Sequence, residues 1–116
     1  MERAARLREL YAAFNARDVD TVLAAMTPDV DWPNGMEGTR ERGHDAVRAY
    51  WLRQWKSIAP TVEPESFSLR MDGATVVRVH QVVRDLAGHT INDRVVLHAY
   101  WFDGDLVSRM EIEEPA

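Results

Sequence analysis

Ser66-Phe67-Ser68-Leu69-Arg70-Met71-Asp72-Gly73 is the stretch in which the chain changes period. Phe67, Leu69 and Met71 alternate with Ser66, Ser68 and Arg70, the two-residue rhythm of a strand with one buried face. Asp72-Gly73 closes it with turn formers. Most of the chain before this stretch repeats at helical spacing, and the residues after it read as strands. A helical first half before a strand-rich second half predicts an α+β domain rather than alternating β/α units.

Working upstream, Leu7, Leu10, Tyr11 and Phe14 form a helical stripe, which predicts a first helix from about Arg3 to Ala16. Asp18 or Asp20 can cap a second, shorter helix with Val19, Val22, Leu23 and Met26 on one side, stopped at Thr27-Pro28 because proline cannot continue the ladder. A short strand, roughly Val30 to Trp32, precedes the turn-rich loop Pro33-Asn34-Gly35-Met36-Glu37-Gly38, and Arg40-Glu41-Arg42 reads as solvated loop. A third helix starts near Gly43-His44-Asp45 and carries Val47, Tyr50, Trp51, Gln54, Trp55 and Ile58 inward, with Pro60 and Pro64 bracketing its exit. Downstream, one strand runs from about Thr75 to Leu86, turns at Ala87-Gly88 and returns through Arg94 to Phe102. Asp103-Gly104 then signals a hairpin into a last strand, Leu106 to about Ile112. With no repeat, linker or low-complexity tract, residues 1–116 read as one domain.

Composition narrows the partners. The chain has no cysteine, which removes disulfides, thiolate nucleophiles and Cys-based metal sites, and fits a cytoplasmic setting. A net charge of −5 with acids spread throughout argues against a nucleic-acid partner or an anionic membrane surface. The opening Met1-Glu2-Arg3-Ala4-Ala5-Arg6 is charged, so no leader segment is expected, and no apolar run is long enough to span a bilayer.

Four segments carry a resemblance. Tyr11-Ala12-Ala13-Phe14-Asn15-Ala16-Arg17-Asp18-Val19-Asp20, Pro28-Asp29-Val30-Asp31-Trp32, Gly43-His44-Asp45-Ala46-Val47 and Asp103-Gly104-Asp105-Leu106-Val107 resemble, in order and spacing, the nuclear-transport-factor-2-like superfamily. Val79-His80-Gln81-Val82-Val83-Arg84-Asp85 is similar to its SnoaL-like group. The resemblance implies a cone-shaped, cystatin-like fold, three N-terminal helices packed on a curved antiparallel sheet around an apolar pocket. It does not imply one reaction, since the superfamily includes isomerases, dehydratases, epoxide hydrolases, cyclases and binding modules.

Aligned with ketosteroid isomerase, the chain has Leu10 at the tyrosine position, Asn34 at the base position and His98 at the acid position. Leucine donates no hydrogen bond and neutral asparagine takes no proton, so that reaction is rejected. Tyr11, about 100° further round the helix, is not expected to substitute. Nor does the chain supply two inward carboxylates for an epoxide-hydrolase site. A dehydratase-like or cyclase-like site pairing a histidine with an acid comes closer.

His98 and His80, set among valine, tyrosine and leucine, are therefore the candidate proton-transfer groups, with Glu111 as an alternative partner. Asn34 and Trp32 would be hydrogen-bond donors to a developing oxyanion. A strict turn at Ala87-Gly88 would pair residue numbers that sum to 175 and put the two histidines on opposite faces. A bulge near Asn92-Asp93 is expected to restore both to the cone, beside Val82 and Tyr100. The plainer alternative is a core histidine satisfied by a neighbour. Trp32, Met36, Tyr50, Trp51, Trp55, Val82 and Tyr100 are the expected lining for a small apolar or aromatic ligand, with no cofactor and no metal. Val77, Val79, Val83, Val95, Leu97 and Trp101 are expected on the outer face, where the sheet would form a homodimer.

Overall fold

The apolar stripe of the first helix becomes α1, Glu2–Asn15, with Leu7, Leu10, Tyr11 and Ala13 buried, in a computed structural model that describes residues 2–115. Met1 and Ala116, the expected limits of the domain, lie outside the described residues. Arg17 ends α1 in a left-handed conformation (φ 63°). There the Arg17 N–H bonds the Phe14 carbonyl at 2.9 Å and the Asp18 N–H bonds the Ala13 carbonyl at 2.8 Å, a Schellman closure. Glycine usually fills that position. Here the arginine side chain offsets the backbone cost by lying over the Trp55 ring, 5.0 Å from its centroid, and donating to the Pro60 carbonyl at 2.7 Å.

Asp18 caps α2, Val19–Ala24, by accepting from the Thr21 N–H. Met26, expected on that helix, instead opens β1, Met26–Asn34, a strand far longer than Val30 to Trp32. The cause is a distant partner: Met26 pairs with Val107, whose N–H bonds the Ala25 carbonyl at 2.9 Å. Arg40-Glu41-Arg42 is not loop but most of β2, Thr39–Arg42, folded back on β1 with Trp32 opposite Glu41. A short, charged strand at a sheet edge carries no apolar pattern from which to read it.

Gly43 (φ 88°) starts α3, His44–Gln54, and its N–H bonds the Val30 carbonyl at 2.8 Å. Helix α3 stops before Ile58, because Ile58 already begins β3, Ile58–Leu69. This strand contains Pro60 and Pro64 and is tolerated because it lies at the sheet edge, where the missing N–H groups break no ladder. β4, Thr75–Asp85, β5, Thr90–Asp103, and β6, Leu106–Glu113, complete the sheet. The order across its six strands is β2-β1-β6-β5-β4-β3. Neighbours run antiparallel except β1 and β6, which pair in parallel. No helix among the described residues is long and apolar enough to cross a membrane.

The β4–β5 hairpin decides which side chains face the helices. Next to the turn Arg84 pairs with Thr90, numbers that sum to 174, but from Val83–Asn92 to Thr75–Tyr100 every pair sums to 175. The extra residue is Ile91. A bulge is thus present, but it acts opposite to expectation: without it His80 and His98 would share a face, and with it they do not. The same parity moves Val77 and Val79, both 0% exposed, into the core and Val83 to the inner wall. The outer face carries Val76 and Ala99, packed by Leu97 and Trp101, instead.

Candidate functional site

The helices cover one face of the curved sheet incompletely, and the gap is a cavity of about 220 Å³. Helix α1 gives it Leu10, Tyr11 and Phe14; β1 and the turn after it give Trp32, Gly35 and Met36; α3 gives Tyr50, Trp51 and Gln54. The sheet wall runs from Ile58, Pro60 and Val62 on β3 through Gln81 and Val83 on β4 to Arg94, His98 and Tyr100 on β5. Met110 and Ile112 on β6 close it. Trp32 meets Trp51 edge to face with ring centroids 5.7 Å apart, so these walls hold one another in place.

Of the residues singled out from the sequence, the fold brings Trp32, Met36, Tyr50, Trp51, His98 and Tyr100 to this cavity. The others lie elsewhere. His80 is on the outer face, half exposed, with its Nε2 2.6 Å from the Asp93 carboxylate. Val82, two residues on, shares that outer face by strand parity. Glu111 also points outward, where it is ion-paired with Arg109 and with Arg40, while its neighbours Met110 and Ile112 face in. Asn34 is buried but committed to its own turn: its Oδ1 accepts from the Glu37 N–H at 2.9 Å and its Nδ2 donates to Glu41 at 2.8 Å. It is not free to meet an oxyanion. Trp55 packs behind the wall, against Trp51 and Phe14.

Tyr11 is the polar residue that the sequence pattern did not select. Leu10 and Tyr11 of helix α1 both line the cavity. The Tyr100 hydroxyl donates to the Tyr11 hydroxyl at 2.8 Å, and the Tyr11 hydroxyl lies 2.8 Å from His98 Nδ1. A phenol in an otherwise apolar stripe was the available signal, because a buried hydroxyl requires a partner. When the Tyr11 hydroxyl directs its proton to Nδ1, the imidazole proton is on Nε2 and that nitrogen is a donor. Nε2 has no protein partner among the described residues.

Burial sets the charge state of this cluster. It pulls the His98 pKa down to about 4, so the ring is neutral at ordinary pH. Burial, reinforced by Tyr100, raises Tyr11 well above the usual phenol value, and burial likewise raises Tyr100. Tyr50 is raised by burial as well, and its hydroxyl accepts from Gln54 Nε2 at 3.1 Å. The Tyr100–Tyr11–His98 cluster is therefore a set of neutral hydrogen-bonding groups in an aromatic cup. Among the described residues, no cluster of three or more histidine and carboxylate side chains is arranged to hold a metal ion.

A family model described as SnoaL-like domain matches residues 7–110. No curated protein matches the chain. Among solved structures, a nuclear-transport-factor-2-like protein of unknown function from Burkholderia pseudomallei K96243 is 29% identical, with TM-score 0.84, covering 99% of this chain and 92% of that one. TerC, co-crystallised with polyporic acid, is 24% identical with the same TM-score, 0.84, and the same coverage, 99% and 92%. A candidate polyketide cyclase of Sinorhizobium meliloti is 18% identical with TM-score 0.79, covering 94% of each chain.

Proposed function

Because the chain belongs to the SnoaL-like domain family, we propose that its cavity takes up a compact apolar or aromatic small molecule and acts on it as an isomerase or cyclase. The observation that carries this is the buried Tyr100–Tyr11–His98 chain, which ends in a neutral imidazole at the cavity wall. A neutral Nε2–H is suited to a ketone or enol oxygen, which it can polarise without first losing a charge. The hydrogen-bonded phenols strengthen it as a donor. Complete transfer of that proton, replaced through Tyr11 from Tyr100, would leave a buried phenolate on Tyr100, whose pKa burial has raised. His98 therefore acts by stabilising developing negative charge on oxygen, as enolisation and ring closure require. The fold shared with the candidate polyketide cyclase supports this reading.

The experiment uses 2-tetralone, a two-ring enolisable ketone. Binding is followed by fluorescence of Trp32 and Trp51, and enolisation by exchange of the α-protons in heavy water. The wild type is expected to bind it and accelerate exchange, and His98→Gln is expected to bind while losing at least about tenfold in exchange rate. Equal exchange by wild type and variant would remove His98 from the chemistry.

One observation favours a second reading, binding without turnover: among the described residues no aspartate or glutamate lines the cavity, so no carboxylate base stands ready there to take a carbon-bound proton. Saturable binding of 2-tetralone with no exchange above buffer would select it. We further propose that two copies associate through the outer sheet face, where Leu97 and Trp101 pack partly buried on Val76 and Ala99.

A further inference from the structure

The charge distribution around the cavity is lopsided. The chain has nineteen acidic residues and a net charge of −5, yet none of the acids lines the cavity and Arg94 is its one charged side chain among the described residues. Arg94 sits directly across the β4–β5 ladder from Gln81, which also lines the cavity. Opposed side chains on one face start about 5 Å apart, within reach of a single bidentate anion. Arg94 is exposed, whereas His98, on the same strand and face, is only 5% exposed. The first therefore marks the mouth and the second the depth. Their separation along β5 is four residues, about 13 Å of strand.

On the sheet the pair Val79–Val96 stands between those two ends, and Val62, Val83, Trp32 and Trp51 are apolar members of the cavity lining. A cavity of about 220 Å³ lies below the ~300–1,000 Å³ common for drug-sized ligands, so its occupant is compact. Glu114 is the present partner of the Arg94 guanidinium, at 3.3 Å, with both side chains exposed. Exposed pairs of this kind are weak and exchange readily for a better-placed anion. The fork geometry of arginine favours a planar carboxylate over a point charge.

We propose that the cavity selects a two-ring aromatic carboxylate, its anionic end held at the mouth by Arg94 and Gln81 and its rings inserted toward His98. This names the ligand class for the site proposed above and rests on that reading. A cationic ligand is disfavoured by the same arrangement. A neutral ring system of equal size would fill the aromatic cup but leave Arg94 on Glu114.

The test compares 2-naphthoate with its uncharged primary amide, 2-naphthamide, by quenching of tryptophan fluorescence, in wild type, Arg94→Gln, Arg94→Lys and Glu114→Gln. The wild type is expected to bind the carboxylate at least tenfold more tightly than the amide. Arg94→Gln brings that ratio close to one. Arg94→Lys keeps part of the preference, and Glu114→Gln raises it by removing the competing carboxylate. Equal binding of the two probes by wild type, or a preference that survives Arg94→Gln, overturns the carboxylate proposal and leaves the small-molecule reading standing. Failure of 2-naphthoate, 2-naphthamide and 2-tetralone alike to bind overturns both.

Discussion

His98 carries a measurable consequence of its burial. The unfolded chain protonates this histidine near 6.5, whereas the folded chain does so at about 4. Between those values the unfolded state holds the extra proton, so stability falls as pH drops, by about 1.4 kcal/mol per pH unit. Above 6.5 the contribution is fully present. Urea denaturation across that interval is expected to show a total loss of about 3 kcal/mol in wild type and a clearly shallower slope in His98→Gln. Parallel slopes would mean that the ring is open to water and protonates as in the unfolded chain. At the same scale, Tyr11 shows why a functional residue can be missed: its role depends on Tyr100 and His98, which lie 89 and 87 residues away along the chain.

At its last residue, helix α1 is hydrogen-bonded to the backbone of strand β3 through one side chain, Asn15. Asn15 donates Nδ2–H to the Val62 carbonyl at 2.8 Å and accepts the Val62 N–H at 2.9 Å. It thereby acts as a one-residue strand partner at an edge that has no neighbour. With the Arg17 bond to Pro60, this pins the end of α1 against the cavity wall formed by Pro60 and Val62. Asn15→Ala leaves both Val62 groups unpaired and is expected to cost about 1–3 kcal/mol, read as a lower urea midpoint with an unchanged m-value. Asn15→Asp, which retains the acceptor and loses the donor, should recover part of that loss. The helices and hairpins were largely legible at this scale because capping and turn residues act over three or four positions, as Asp18 does for Thr21. β2 and the first half of β3 were not legible, since edge strands rich in charge or proline take their structure from the strand beside them.

For the molecule as a whole, the outer sheet face should report on assembly. Wild type is expected to sediment as a dimer at micromolar concentration and Leu97→Asp as a monomer that still binds 2-tetralone, because Leu97 faces away from the cavity. A monomeric wild type would end the proposal of sheet-to-sheet association. The sequence by itself determined the α+β class, the order of helices before strands and the SnoaL-like resemblance. These arise from periodicity and turn chemistry, which are local. It also marked the aromatic residues that make up much of the cavity wall. Only the tertiary structure decided which polar groups face that wall. One residue, Ile91, shifts the β4–β5 register so that His98 faces in and His80 faces out. The reason is the two-residue period of a strand, in which a single bulge exchanges the faces and the buried ladder of Val77, Val79 and Val96 then holds the exchange.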